Sequence, residues 1–297
     1  MKSRRTAGNA ILIFTSLIWG TAFVFQRVGM DSIEPLTFTA ARMLLAAVFI
    51  GLIAVPAWRK DRKAAGDSSR YRKDTLTGGI CCGIFLSLGS ILQQTGMVYT
   101  TAGKAGFITA MYILLVPVIG FLFMKRKNTW IVWTAVLMGI AGMYLLCISD
   151  GLRFSTGDIF VGICAVFFSF HILCCDHFAS RGNPICISAI QFMTAFVISG
   201  VAAFILEKPG MDKLISALVP IAYCGLVSGG IGFTLQMIGQ KYTEPTTASL
   251  LMSLESVFAV IAGAVILHEQ MSIREIAGCV IMFAAIVLVN LKDKKEG

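Results

Sequence analysis

Charge is scarce in this chain. Lys and Arg number 25 and Asp and Glu 16, which makes 14% of the 297 residues charged. A water-soluble domain carries about 25%, so a soluble fold is excluded. Histidine is scarcer still, at three residues. Three scattered imidazoles cannot readily build a metal centre, and no cofactor is expected. No GxxxxGK[ST] phosphate loop is present, so the chain does not hydrolyse ATP itself. Neither HExxH nor GxSxG occurs, and the chain does not read as an enzyme. The nine cysteines are odd in number and show no CxxC spacing, and we read all of them as packing residues.

What is abundant is apolar surface. Ten stretches are long enough for about 20 residues of helix to cross a bilayer core of about 30 Å. They cover 8–28, 35–56, 76–98, 103–124, 129–148, 157–178, 184–206, 214–240, 246–267 and 272–291. The expected fold is therefore an all-α polytopic membrane protein. The Lys2-Ser3-Arg4-Arg5 start resembles a signal peptide, but the run behind it is too long and lacks a small-x-small cleavage site, so it reads as a retained first helix.

The net charge of +9 is distributed by topology. With the N-terminus inside, alternate loops collect eighteen Lys and Arg on the cytoplasmic side against six on the other. This obeys the positive-inside rule and predicts a multi-pass protein of the plasma membrane with both termini cytoplasmic. The basic loop at 57–75 is then an orientation device that also meets lipid headgroups. No aromatic–basic reading surface accompanies it, so no nucleic acid is expected.

The chain repeats itself. Residues 89–100 read GSILQQTGMVYT and residues 232–243 read GFTLQMIGQKYT, with six identities at matching places. Ordinary residue frequencies give about one. At an offset of 149, Gly8/Gly157, Pro35/Pro184 and Ala46/Ala195 also align; at 143, Cys81/Cys224, Ala105/Ala248 and Gly120/Gly263 do. The division falls at 1–150 and 151–297. Each half holds five helices, and five is odd, so the second copy crosses the membrane upside down. Two inverted repeats suit a carrier that opens to alternate faces.

Several residues are out of place in hydrocarbon. Glu255 lies about 13 Å along its helix at 1.5 Å per residue, and a carboxyl there marks either a transport pathway or a helix-to-helix staple. Tyr112 is its repeat partner at the 143 offset. Arg42, with repeat partner Gln191, can either snorkel to headgroups or face a cavity and attract an anionic group. Gln93 and Gln236 sit on small-residue helix faces and either bridge helices or meet a ligand. His171 reads as packing or as a proton relay. Trp19 is too deep for an interfacial belt and either packs or stacks on substrate. Gly79-x-x-x-Gly83 and Gly225-x-x-x-Gly229 can join helices within one chain or across a homodimer.

Trp19-Gly20-Thr21, the segment 93–112 (QQTGMVYTTAGKAGFITAMY), and Ser253-Leu254-Glu255 followed by Leu267-His268-Glu269 resemble the EamA-type branch of the drug/metabolite transporter superfamily. The resemblance covers the whole chain. It implies ten helices in a five-plus-five inverted arrangement around a central cavity lined by helices 1–4 and 6–9. One departure is Ser256, where many relatives carry proline after the mid-helix Glu, so no proline-driven kink is expected there. Glu269 matches the ending of a Leu-x-Glu pattern, with a capping or loop-pairing role for it and His268.

The expected function is a secondary transporter of a small polar metabolite, an amino acid or related compound being the first candidate, with proton coupling as one mode. The expected substrate-binding set is Trp19, Arg42, Gln93, Tyr112, His171, Gln191, Gln236 and Glu255. The rival readings are a membrane-embedded enzyme acting on lipid or isoprenoid and a non-transporting binding protein. The first needs a cluster of acid, base or metal-binding residues at one interface, which the sequence does not concentrate anywhere.

Overall fold

The computed structural model describes residues 2–64, 68–100, 102–125, 128–147, 155–266 and 272–295. His268 and Glu269 lie outside the described residues, as do residues 65–67 of the expected basic loop, the rest of which is helical rather than loop because α2 and α3 extend past their apolar spans. Helices occupy nearly all of the rest. They run α1 (Lys2–Gly29), α2 (Pro35–Ala64), α3 (Ser68–Met97), α4 (Ala102–Thr109), α5 (Tyr112–Met124), α6 (Trp130–Cys147) and α7 (Thr156–Ala179). Next come α8 (Pro184–Leu206), α9 (Met211–Ser216), α10 (Leu218–Ala222), a π-helical segment Tyr223–Phe233, α11 (Thr234–Gln240), α12 (Pro245–Met252), α13 (Glu255–Ile266) and α14 (Ile273–Lys295).

Among the described residues, eight spans are long and apolar enough to cross a membrane, and α6 and α14 contribute shorter apolar stretches, Trp130–Gly142 and Ile276–Ala285. The outward surface is as apolar as the inside: Phe204 is 83% exposed and Phe123 74%. In water such a surface would aggregate; facing lipid it carries no penalty.

Three expected spans are discontinuous. The span at 103–124 breaks at Ala110 and Met111, and that at 246–267 breaks at Ser253 and Leu254. The two breaks differ by 143 in residue number, so they are the same break in each half. The second breaks without the proline that Ser256 replaces, so the kink does not depend on that residue. The third interruption is the π-helical segment, and its cause is countable. Gly83 and Gly225 each face a backbone carbonyl, those of Gln191 and Arg42, which are repeat partners. Gly89 and Gly232 also correspond, yet the first interval is six residues and the second seven. One extra residue within a helix is absorbed by widening the turn to π. The equivalence before this segment is therefore 142, and Cys224 pairs with Cys82 rather than with Cys81.

Glycine sets the seams between the halves. A methyl on Gly96 would meet Val161 at 2.6 Å, and one on Gly89 would meet Phe168 at 2.9 Å. Their counterparts do the same to the counterpart residues: Gly239 against Leu12 at 2.8 Å and Gly232 against Trp19 at 2.7 Å. Along α3, α7 and the turn after α7, the facing pairs are Thr75·Gly182, Cys82·Cys175, Gly89·Phe168 and Gly96·Val161, in steps of seven residues. This is an antiparallel heptad seam, and small residues let the two backbones close on each other. Both Gly-x-x-x-Gly motifs are occupied the same way inside the chain, Gly79 and Gly83 against α8 and Gly225 against α2.

Polar caps tie the seams at their ends. Thr100 Oγ1 donates to Asp158 Oδ1 at 2.9 Å, and its counterpart Thr243 Oγ1 donates to Asn9 Oδ1 at 2.9 Å. The Glu207 carboxylate, just past α8, accepts from the first N–H groups of α2, Leu36 at 2.9 Å and Thr37 at 2.7 Å. Those amides have no partner inside their own helix, and a carboxylate also complements the helix dipole there.

Candidate functional site

The matched helix breaks place two ionisable side chains together. Tyr112 opens α5 and Glu255 opens α13, each at the first residue after its break. The Tyr112 hydroxyl donates to Glu255 Oε1 at 2.9 Å, so a repeat position bonds to its own counterpart. Such a contact lies on the axis relating the halves. Tyr112 is 2% exposed and Glu255 4%, and among the described residues no cation pairs with the carboxyl.

Around this pair lies a narrow chamber of about 40 Å³. It is lined by Trp19, Phe23 and Gln26 of α1, Arg42 of α2, Ser90 and Gln93 of α3, Thr109, Tyr112, three residues of α7 (Phe168, His171, Ile172), Ser228, Phe233, Gln236 and Glu255. Seven of the eight expected residues are on this wall. The eighth, Gln191, stands behind it, with Oε1 3.0 Å from His171 Nε2.

For several of these residues the geometry shows where the side chain points. Arg42 turns inward: it is 5% exposed, its guanidinium lies 5.8 Å from the Phe38 ring, and Nη1 donates to Gln26 Oε1 at 3.3 Å. Its Nε has no partner, and among the described residues no carboxylate pairs with it. Trp19 packs on Phe233, with ring centroids 4.6 Å apart, and its Nε1 donates to the Ser228 carbonyl at 3.2 Å. The indole thus fastens α1 to the π-helical segment.

The two glutamines differ in their partners. Gln93 Nε2 donates to Thr109 Oγ1 at 3.1 Å. The counterpart of Thr109 is Met252, which offers no hydroxyl, and Gln236 Oε1 is buried without a partner. A buried unpaired acceptor costs about 1–3 kcal/mol, which a ligand donor or an ordered water would recover.

Sequence reasoning missed Phe23, Gln26, Ser90, Thr109, Phe168, Ile172, Ser228 and Phe233. Phe168 had a usable signal, since it is the counterpart of Trp19 at the 149 offset. The others are ordinary apolar or small polar residues that only three-dimensional proximity singles out. Among the described residues no group of three or more His, Cys, Asp or Glu is arranged to hold a metal.

Comparison with known proteins agrees with this architecture. The profile of the EamA-like transporter family matches residues 6–148 and again 155–291, once per half. An uncharacterised transporter of Archaeoglobus fulgidus is 28% identical over 97% of this chain and 87% of its own. A protein of Streptantibioticus cattleyicolor named a probable terminal-alkyne amino-acid exporter is 22% identical over 94% of this chain and 92% of its own. One solved crystal structure, 17% identical, superposes with a TM-score of 0.76 over 98% of both chains and so shares the fold. The chain, with its two matched halves and its apolar multi-pass body, belongs to the EamA-like transporter family.

Proposed function

We propose that the protein is a secondary carrier that moves a small polar metabolite across the plasma membrane by alternating access, with both termini cytoplasmic. An amino acid or a close relative of one is the first candidate. The observation that carries this reading is the Tyr112–Glu255 pair, set at matched helix breaks inside one chamber between the halves. Discontinuous helices at corresponding places of two repeats are where carriers hold their cargo.

The chamber's chemistry suits a zwitterion. Arg42 brings a buried guanidinium with a free Nε for a carboxylate. Glu255 brings a carboxyl for an amine or for a coupling proton, and Trp19, Phe23, Phe168 and Phe233 supply apolar wall for a side chain. Gln93, Gln236, His171 and Gln191 complete the polar surround. The Streptantibioticus relative named for amino-acid export supports the same substrate class.

Glu255 is given two competing partners under this reading. It bonds Tyr112 when the site is empty and releases that bond when an amine or a proton arrives. The test is uptake of labelled amino acids into proteoliposomes across a pH gradient, with Glu255→Gln beside the parent. The variant should lose the stimulation by the gradient. Its uptake should fall about tenfold or more, as expected from losing a charge-assisted contact of about 1.5–3 kcal/mol. Unchanged uptake with unchanged gradient dependence would remove Glu255 from the mechanism.

A further inference from the structure

One layer of the α3–α7 seam carries chemistry that the chamber does not use. Where the flanking layer puts Gly89 against Phe168, this one puts Cys82 against Cys175, with their sulfurs 3.9 Å apart. Both are buried, at 0% and 1% exposure, and both are free thiols. The next neighbour of Cys175 is His171, whose Nε2 and Nδ1 lie 3.5 and 3.8 Å from the sulfur. His171 is part of the chamber wall. The thiol pair therefore stands one side chain behind a polar cavity.

We propose that Cys82 and Cys175 are a redox-active dithiol whose oxidation to a disulfide joins the two halves and arrests the carrier. The sulfurs must close by about 1.9 Å to reach the bonded distance of about 2.05 Å. The neighbouring glycine layer already holds the backbones of α3 and α7 close, as the short Cα separation of a disulfide demands. Cys81 and Cys174 are only partly buried.

The oxidant class is a peroxide. Cys175 passes its proton toward His171 Nδ1, 3.8 Å away, since Nε2 donates to Gln191 Oε1, and its sulfur attacks one peroxide oxygen. The O–O bond breaks, and the departing hydroxide takes up that proton to become water. Cys175 is left as a sulfenic acid. The sulfur of Cys82 then attacks the sulfenic sulfur, the S–O bond breaks, and a second water leaves with the Cys82 proton. Two thiols lose two electrons to one peroxide, which becomes two waters.

The consequence rests on the carrier reading. Cys82 belongs to the first half and Cys175 to the second, so a covalent link between them opposes any motion of one half against the other.

The experiment uses the full chain in lipid nanodiscs, treated with hydrogen peroxide, quenched with N-ethylmaleimide, and mapped by non-reducing peptide mass spectrometry. The expected product is the Cys82 peptide joined to the Cys175 peptide with loss of two hydrogens, and dithiothreitol should separate them. Amide exchange at the helix breaks, 110–111 and 253–254, should slow in the oxidised protein and recover on reduction. That readout needs no substrate. In proteoliposomes the same treatment should abolish uptake by the parent and leave Cys82→Ala at its untreated rate. Absence of the linked peptides, or a Cys81–Cys174 link in their place, overturns the dithiol. A link that leaves both exchange and uptake unaltered overturns the arrest. Failure of the reduced parent to carry any tested metabolite would count against the carrier reading, while the peptide map and exchange still decide the dithiol.

Discussion

At the residue scale, the central contact is one hydroxyl on one carboxyl. Tyr112→Phe keeps the ring and removes the only hydrogen bond that Glu255 accepts among the described residues. The expected cost is about 1–3 kcal/mol, because a buried carboxyl oxygen is left without its donor. It should appear as a lower midpoint in detergent unfolding, whereas Tyr99→Phe, on an exposed side chain, should leave the midpoint in place. An equal midpoint for Tyr112→Phe and the parent would mean that water replaces the hydroxyl freely and that the pair is not structural.

Which residues gather at this site was largely readable beforehand, because a charged or amide side chain deep in an apolar span is costly and so conspicuous. The direction in which Arg42 points was not readable. Its distance from the helix end, about 10 Å, fits a snorkelling side chain as well as an inward one. Only the position of Gln26 on the neighbouring helix separates the two. The aromatic walls escaped because Phe23 and Phe233 look like any lipid-facing residue until α1 and the π-helical segment are brought together.

At the element scale, close helix approach makes individual glycines testable. A methyl on Gly20 would stand 2.4 Å from Phe258 Cβ and 2.7 Å from the Glu255 carbonyl, so α1 would be pushed off α13 beside the site. Gly20→Ala should destabilise by about 1–3 kcal/mol and depress uptake. A methyl on Gly51, in the interior of α2, would meet nothing within 4 Å. Gly51→Ala should therefore be neutral or stabilising by up to about 1 kcal/mol, the ordinary helix preference. Thermal midpoints of the two variants in one detergent check both signs.

A second element-scale prediction concerns pH. Lys213 of α9 donates to Glu34, which precedes α2. This hydrogen bond, with a second one from the Glu34 backbone, holds the carboxyl below its ordinary range. A depressed carboxyl contributes stability that is present above the unfolded value of about 4.3 and is lost as pH falls through the folded one. Measured against the intrinsic exchange rate, which itself falls over this range, the protection of the α9 amides should drop as the pH is lowered from about 5 to about 3, and Glu34→Gln should flatten that change. The effect is small, since both side chains are partly exposed. Helix interruptions were the least legible feature at this scale. No proline or glycine stands at 110–111 or 253–254, and the π-helical turn shows only when the intervals Gly83–Gly89 and Gly225–Gly232 are counted side by side.

At the scale of the whole molecule, symmetry organises the structure. The duplication was legible because six residues recur within one twelve-residue segment, and the packing repeats itself residue by residue: Gly96 on Val161 as Gly239 on Leu12, Thr100 on Asp158 as Thr243 on Asn9. Where the halves differ, the chamber gains its polarity. Arg42 stands opposite Gln191, Glu255 opposite Tyr112, and Thr109 opposite Met252, so an even scaffold holds an uneven set of charges. The same symmetry predicts that epitope tags on the two ends are reached from the same side of right-side-out vesicles, the cytoplasmic one; tags reached from opposite sides would contradict an inverted pair of five-helix units.

The most direct measurement is counterflow. Proteoliposomes preloaded with unlabelled amino acids are diluted into trace labelled amino acid, with no ion gradient. A carrier whose chamber opens to one side at a time must accumulate label above equilibrium and then release it, and Glu255→Gln should reduce or abolish that overshoot. Label that only rises to equilibrium for every amino acid tested, in vesicles shown to contain folded protein, would contradict alternating access through this chamber.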